Sequence, residues 1–183
     1  SLAYVCTFLG AVQAGVVVAP LPPTATPEQL QALAANAGAV AVCADDSSAG
    51  LWAKSSLRRI PLDEPAWSQW LQGAPAPQPV TRQPGEAFNI IYSSGTTGLP
   101  KGIVQPCGMR WAQLQRSSAN GFGPEAVTLL AIPLYSNLTL TYLFGALGLG
   151  GTVVLMAKFD AARYLALAAQ HRATHSVLVP VQF

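Results

Sequence analysis

The amino-acid sequence predicts an α/β fold in which layered sheets are flanked by helices. Short apolar runs rich in β-branched residues, typical of buried strands, recur along the chain. Stretches with helical periodicity, several of them bounded by capping residues or glycines, lie between these runs. Helices that alternate with buried strands are typical of a layered α/β domain. The strand-like runs cover residues 16–19, 39–43, 87–92, 103–105, 127–132, 152–156 and 176–179.

The first part of the chain predicts two successive pairs of a helix and a strand. A buried helix is expected over residues 2–14, and Gly15 is a natural C-terminal stop for it before strand 16–19. Thr26 is expected to cap the next helix, with Gln29 completing a capping box. Strand 39–43 follows that helix.

The middle of the chain predicts two helices and a connector. One helix is expected over residues 48–58, and a shorter one over 63–71 with Trp67 and Trp70 on its packed side. Residues 74–85 are rich in proline and predict an extended connector. The chain is therefore divided into a first α/β part (1–73), the connector (74–85) and a second α/β part (86–183).

The last part predicts helices over 109–118 and 136–149, and a third from the cap Asp160 to about residue 172. His171 and His175 have the four-residue spacing of a helical metal pair. A β-branched run begins between them, however, so they are predicted not to share a helix face.

Composition limits the classes of function. Only 10% of the residues are charged, against about 25% in an average globular protein. We therefore expect an internal fragment, much of which is buried in a larger assembly or lies against missing parts of its own chain. The net charge is +2 and no basic cluster is interleaved with aromatic residues, so no nucleic-acid partner is predicted.

The cysteines and the apolar stretches indicate in which cellular compartment the protein is expected. The three cysteines form no CxxC pair, so they favour neither a disulfide framework nor a zinc site, and a reducing cytoplasm fits them. Residues 2–21 and 138–157 are apolar enough to suggest membrane segments. Glycines interrupt both stretches, so no transmembrane segment is predicted.

Residues 93–102, Ser-Ser-Gly-Thr-Thr-Gly-Leu-Pro-Lys-Gly, form a stretch poorly suited to a core. Its glycines let backbone N–H groups approach a ligand closely, and successive N–H groups form an anion-binding concavity. Lys101 adds a cation with three donors. The stretch therefore predicts a phosphate-binding loop between two strands. It is not a Walker loop, because Pro100 precedes Lys101 and Gly102 follows it.

Residues 91–103 also resemble the signature loop of the adenylate-forming superfamily. That family comprises acyl- and aryl-CoA ligases, nonribosomal-peptide adenylation domains and luciferases. Its pattern, Tyr/Phe-Thr/Ser-Ser-Gly-Thr-Thr-Gly-x-Pro-Lys-Gly-Val/Ile, is matched here at every defined position. The resemblance covers residues 2–181 and implies that the chain is part of the large N-terminal domain of such an enzyme.

The resemblance implies ATP-dependent activation of a carboxylic acid through an acyl-adenylate, followed by transfer to coenzyme A. ATP, magnesium and coenzyme A are the implied cofactors, and cytoplasmic fatty acid metabolism is the implied setting. It also implies that Lys101 and Thr97 are catalytic, and that the isolated fragment is inactive because the family's adenine, ribose and C-terminal residues lie elsewhere. The implied nucleotide-binding residues are Ser93, Ser94, Gly95, Thr96, Thr97, Gly98 and Lys101.

The carboxylic acid itself is less well defined. Residues 132–137 resemble the family's Pro-Leu-Phe-His element near the acyl pocket, with Ser136 in place of the histidine. Pro106 and Cys107 replace the family's Ser/Thr-His pair after the signature lysine. Two alternatives therefore stay open: a peptide-synthetase adenylation domain, and a degenerate member that binds a nucleotide or a partner without turnover. The implied substrate residues are Tyr135, Ser136 and Asn137.

One further segment, residues 120–125, is similar to a later family motif that supplies a magnesium carboxylate. Its threonine is missing and it follows the signature loop too closely. We therefore predict a helix C-cap and loop there, and assign Glu125 to no metal.

Overall fold

The computed structural model of the chain describes residues 1–76, 78, 80–93 and 100–182. The chain forms two compact units: Ser1–Gln83 with Ala87–Gln105, and Pro84–Glu86 with Pro106–Phe183. Each unit combines helices with small sheets, which confirms the predicted α/β class. The three-part division based on the proline-rich connector remains a prediction. Among the described residues, no helix has both the length and the apolar character needed to cross a membrane.

The first unit contains two small sheets. Strands β1 and β2 pair in parallel, with Ala41 opposite Arg58, and β3 pairs with β4. A 3-10 turn at Gly50–Trp52 lies between α3 and β2. The elements are α1 (Leu2–Gln13), α2 (Pro27–Asn36), β1 (Ala41–Ala44), α3 (Asp46–Ala49), β2 (Arg58–Pro61), α4 (Ala66–Leu71), β3 (Ala87–Ser93) and β4 (Lys101–Pro106).

Helix α2 is fixed at its start and along one face. The predicted capping box is confirmed: Thr26 Oγ1 accepts a hydrogen bond from the Gln29 N–H, and Gln29 Oε1 accepts one from the Thr26 N–H. The apolar face of the helix packs into a cluster with the end of β1. The buried members of that cluster are Leu30, Ala34, Ala44 and Trp52.

The predicted strand over residues 16–19 is wrong. Only an isolated bridge joins Val18 to Asn89 of β3, while Val16 and Val17 are partly exposed. Prolines at positions 20, 22 and 23 follow directly, and a proline has no N–H with which to extend a ladder.

The predicted helix over residues 48–58 is also wrong. Helix α3 is short, and the chain is already extended in β2 from Arg58. The Ser55 hydroxyl oxygen accepts a hydrogen bond from the Leu57 N–H, a local bond that competes with a helical one. Within the shorter helix α4, Trp67 donates to Thr7 Oγ1, whereas Trp70 is 41% exposed, so its predicted packing is wrong.

The second unit is a three-stranded parallel sheet in the order β6-β5-β7, with helices between its strands. Helix α6 packs on β5, and Leu129, Leu140 and Leu143 are fully buried. The elements are α5 (Cys107–Ala119), β5 (Val127–Leu130), α6 (Asn137–Gly148), β6 (Thr152–Leu155), α7 (Ala161–Gln170) and β7 (His175–Val177).

Several local predictions in this unit are confirmed. Asp160 Oδ1 accepts a hydrogen bond from the Arg163 N–H and caps α7. Asn120 is the C-cap of α5, and Gly121 has a φ of 83°. His171 ends α7 while His175 begins β7, so the two histidines do not share a helix face.

Candidate active site

The signature stretch begins at the end of one strand and ends at the start of its neighbour. Ser93 is the last residue of β3, and Lys101 is the first residue of β4. Because β3 and β4 pair in one sheet, the two ends of the stretch belong to neighbouring strands that are hydrogen-bonded to each other. Five of the predicted site residues lie outside the described residues, namely Ser94, Gly95, Thr96, Thr97 and Gly98.

Lys101 presents a cation to solvent. Its side chain is exposed, and within the described part of the chain its ammonium group makes no ion pair or side-chain hydrogen bond. A lysine ammonium is a compact charge with three rotatable donors on a flexible stem. In this position it is available to a bound anion.

Gly102 brings the start of β4 close to the residues beneath it. A Cβ atom at position 102 would lie 3.1 Å from Tyr92 Cε1 and 3.3 Å from both Ile90 Cγ2 and Asn36 Oδ1. Such distances are tighter than ordinary van der Waals contact, so a larger residue would displace one of these neighbours. The glycine after Lys101 therefore lets this end of β4 lie close to the side chains of Tyr92 and Asn36.

The Tyr92 hydroxyl ties β3 to the C-terminal end of α2. It lies 2.7 Å from Asn36 Oδ1 and 2.9 Å from the Leu33 carbonyl oxygen, and its single proton serves one acceptor at a time. Burial raises the pKa of Tyr92, so the hydroxyl stays protonated at neutral pH. Sequence reasoning missed Asn36, because no motif links a helix end to a loop so far along the chain.

The predicted substrate residues lie in the second unit, where the chain turns from β5 into α6. Ser136 is the N-cap residue of α6, and its N–H donates to the Pro133 carbonyl oxygen at 3.1 Å. Asn137 Oδ1 accepts a hydrogen bond from Arg110 Nη2 at 2.8 Å. Tyr135, Ser136 and Asn137 are all partly buried, so this turn is held from both α5 and its own backbone.

Arg110 is a second residue that sequence reasoning missed. It is 6% exposed, its Nη1 donates to Gln113 Oε1 at 2.9 Å, and its guanidinium lies 5.4 Å from the centre of the Phe144 ring. Burial lowers the pKa of Arg110 to about 10, so the group keeps its charge at neutral pH. An isolated arginine in a helix gives no sequence signal that it will be buried beside a candidate substrate turn.

The described side chains do not form a metal site by themselves. In residues 1–76, 78, 80–93 and 100–182, no group of three or more His, Cys, Asp or Glu side chains is placed to hold a metal ion.

A surface cleft of about 460 Å3 in the second unit lies beside Phe122 and His175. Three of its hydroxyl groups are already bonded to backbone oxygens of the protein: Ser117 to Gln113, Thr141 to Asn137 and Ser176 to Leu129. Both ring nitrogens of His175 also have partners, Thr174 Oγ1 and the Asn120 carbonyl oxygen. Because these groups are satisfied internally, we assign no ligand to the cleft.

The α/β fold, with a lysine presented at the end of a glycine-rich stretch, is that of the N-terminal domain of an adenylate-forming enzyme. The family model for AMP-binding enzymes matches residues 1–183, and the chain belongs to that family.

The similar curated proteins include CoA ligases and a peptide synthetase, phosphinothricin tripeptide synthetase PhsC of Streptomyces viridochromogenes, which is 33% identical over 57% of this chain and 10% of that protein. The chain is 28% identical over 200 residues to 4-coumarate–CoA ligase 1 of Oryza sativa subsp. japonica, an alignment that covers 97% of this chain and 35% of that protein. It is similar to ATP-bound MatB from Rhodopseudomonas palustris, with a TM-score of 0.84 and 27% identity over 100% of this chain and 38% of that one.

A third similar structure is O-succinylbenzoate coenzyme A synthetase (MenE) from Bacillus subtilis in complex with ATP and magnesium ion. Its TM-score is 0.83 at 21% identity, over 96% of this chain and 47% of that one. The chain therefore spans about a third to a half of the length of the rice ligase, MatB and MenE.

Proposed function

We propose that the complete protein activates a carboxylic acid with ATP and then transfers the acyl group to coenzyme A. In the first half-reaction a carboxylate oxygen attacks the α-phosphorus of ATP, and the bond to the β-phosphate oxygen breaks. The products are an acyl-adenylate and pyrophosphate. In the second half-reaction the coenzyme A sulfur attacks the acyl carbon, and AMP leaves.

The observation that carries this proposal is the exposed ammonium of Lys101, without a partner among the described residues, at the end of the glycine-rich stretch. Negative charge grows on the pyrophosphate as it leaves, and a cation held there favours the transition state over the ground state. We propose that Lys101 acts with Thr96, Thr97 and Gly98 on those phosphates. Ser93, Ser94 and Gly95 complete the proposed nucleotide-binding set.

The acid is proposed to bind beside Tyr135, Ser136 and Asn137. This rests on their resemblance to the family's acyl-pocket element and on the Arg110–Asn137 bond, which holds the turn in place. Similarity to 4-coumarate–CoA ligase 1 supports coenzyme A as the thiol, and similarity to the ATP and magnesium complex of MenE supports ATP with magnesium as the other reactants. A cytoplasmic location and a role in fatty acid metabolism are part of the proposal. The location rests on the three cysteines, which form no CxxC pair and fit a reducing compartment.

Pyrophosphate exchange into ATP tests the first half-reaction in the complete protein. We expect exchange that depends on an acid from a panel of aliphatic and aromatic acids, followed by acyl-CoA formation when coenzyme A is added. Exchange without thioester formation would favour a peptide-synthetase adenylation domain, which loads a carrier arm instead. Nucleotide binding with no exchange for any acid would support the degenerate alternative, which the replaced histidines motivate, and would overturn the proposal.

A further inference from the structure

We propose that Asn36, the last residue of α2, is a positioning residue for Lys101. It acts through the Tyr92 ring and Gly102, which lie between it and the lysine. This inference rests on the proposed phosphate role of Lys101, and it adds a residue from a different element to that role.

Asn36 lies directly beneath the backbone that carries Lys101. Its Oδ1 atom would be 3.3 Å from a Cβ atom placed on Gly102, the residue that follows the lysine. The same Oδ1 atom lies 2.7 Å from the Tyr92 hydroxyl, and the Tyr92 ring would be 3.1 Å from that Cβ atom. Asn36 and Tyr92 thus form a surface against which the peptide at 101–102 rests.

The support beneath this surface is rigid. Helix α2 is capped at its start by Thr26 and Gln29, and its apolar face is buried through Leu30 and Ala34. The Tyr92 hydroxyl also reaches the Leu33 carbonyl oxygen at 2.9 Å, one helical turn before the end. Asn36 is therefore carried by a capped and packed helix, and residues on helices are placed more precisely than residues on loops.

The position of Lys101 is sensitive to this support because little else holds the side chain. The ammonium group has no partner within the described residues, so the region that its flexible stem can reach depends on the course of the peptide at 101–102, where β4 begins. A displacement of the order of 1 Å at a reacting group costs about a hundredfold in rate in the extreme case. A partial loosening is expected to cost about tenfold.

Asn36 is itself exposed, so its truncation is not expected to unfold the protein. In the complete protein, Asn36→Ala should lower the kcat of ATP–pyrophosphate exchange about tenfold, with the KM for the acid unchanged. Tyr92→Phe, which removes the hydroxyl and keeps the ring, should give a smaller loss of the same kind. Thr26→Ala is the matched control, because it weakens α2 from its other end and leaves Asn36 in place.

The decisive comparison is a double-mutant cycle. If Asn36 acts through Lys101, Asn36→Ala should have no further effect on kcat in a Lys101→Ala background. Losses that multiply in the double variant, or an equal loss in Thr26→Ala, would show that Asn36 only stabilises α2 and would overturn the inference. An unchanged rate in Lys101→Ala alone would instead remove the proposed role of the lysine, so the two failures are distinguishable.

A second readout does not depend on turnover. ATP should shield Lys101 from an amine-modifying reagent, as followed by mass spectrometry, in the unaltered protein and in Thr26→Ala. In Asn36→Ala the shielding should be weaker at the same ATP concentration. Equal shielding in all three proteins would contradict the positioning role even if no exchange were detected.

Discussion

At the scale of single residues, backbone contacts decide which positions admit only glycine. Gly151 follows the end of α6, and its N–H donates to the Ala146 carbonyl oxygen at 2.8 Å. A Cβ atom there would lie 2.8 Å from the Gly123 carbonyl oxygen and 2.9 Å from that of Ala126. Main-chain oxygens cannot turn aside as a flexible side chain can, so the turn into β6 requires glycine at this position.

Gly151→Ala should therefore lower the free energy of unfolding by about 2 kcal/mol or more, the upper part of the range for overpacked sites. Gly123→Ala is the matched control, because a Cβ atom at position 123 meets no atom within 4 Å. Urea unfolding of the two variants beside the unaltered chain measures the difference. A Gly151→Ala variant as stable as Gly123→Ala would show that the turn is not as close-packed as described.

Single residues of the candidate site differ in whether the sequence could predict them. Lys101 was predicted because its neighbours in the chain form a recognisable motif. Asn36 and Arg110 were not, because each is tied to the candidate site by a contact with a residue distant in sequence: Asn36 contacts Tyr92, and Arg110 contacts Asn137. A contact between distant residues depends on how elements pack, and one sequence carries no record of that packing.

At the scale of elements, the sequence predicted helix starts correctly where a capping residue is present. The capping box at Thr26 and the cap at Asp160 were predicted because each satisfies helix N–H groups within three residues. Prediction failed over residues 48–58, where the chain divides into a helical turn, a 3-10 turn and the start of β2. The pairing of β2 with β1, a non-local interaction, decides the conformation there.

The cap of α2 gives a quantitative prediction. Thr26→Ala removes the acceptor for the Gln29 N–H and should lower the free energy of unfolding by about 1 kcal/mol. Thr26→Ser keeps the hydroxyl and should lose much less. Chemical denaturation of both variants measures this, and an equal loss in the two would mean that the hydroxyl does not cap the helix.

Asp45 makes the stability of the first unit depend on pH. The Ser48 hydroxyl and N–H and the Ser47 hydroxyl donate to the Asp45 carboxylate, and these bonds lower the pKa of Asp45. A lowered pKa in the folded state stabilises the protein above the unfolded pKa of about 3.9, and this contribution is lost as the pH falls through the folded value.

Asp45→Asn should therefore be less stable than the unaltered chain at pH 7, with the difference shrinking as the pH falls below about 4. Unfolding free energies measured from pH 7 to pH 3 test this. A difference that stays constant over that range would show that the carboxylate charge is not the stabilising feature.

At the scale of the whole molecule, the chain holds a part of what its proposed reaction needs. It carries the proposed phosphate-binding stretch and the proposed acid-binding turn, but spans 35% of its rice relative. Large apolar side chains are exposed in both units, among them Val40 in the first and Trp111 in the second.

We accordingly expect the isolated 183-residue chain to show no ATP–pyrophosphate exchange with any acid of the panel. Placing both reactants accounts for a large share of an enzyme's rate enhancement, and the chain alone lacks most of the length over which its rice relative extends. Exchange by the isolated chain at a rate close to that of the complete protein would refute this expectation.

The most direct test of the account is the rate of ATP–pyrophosphate exchange by Lys101→Ala in the complete protein, beside Lys54→Ala. Both lysines are exposed and both lie in the first unit, so the pair compares loss of a surface charge at two places. We predict that Lys101→Ala slows exchange about a hundredfold or more, with weaker effects on acid binding, because its charge acts on the transition state. Lys54→Ala should exchange at the unaltered rate. Equal rates in the two variants would contradict the central claim that Lys101 stabilises the departing pyrophosphate.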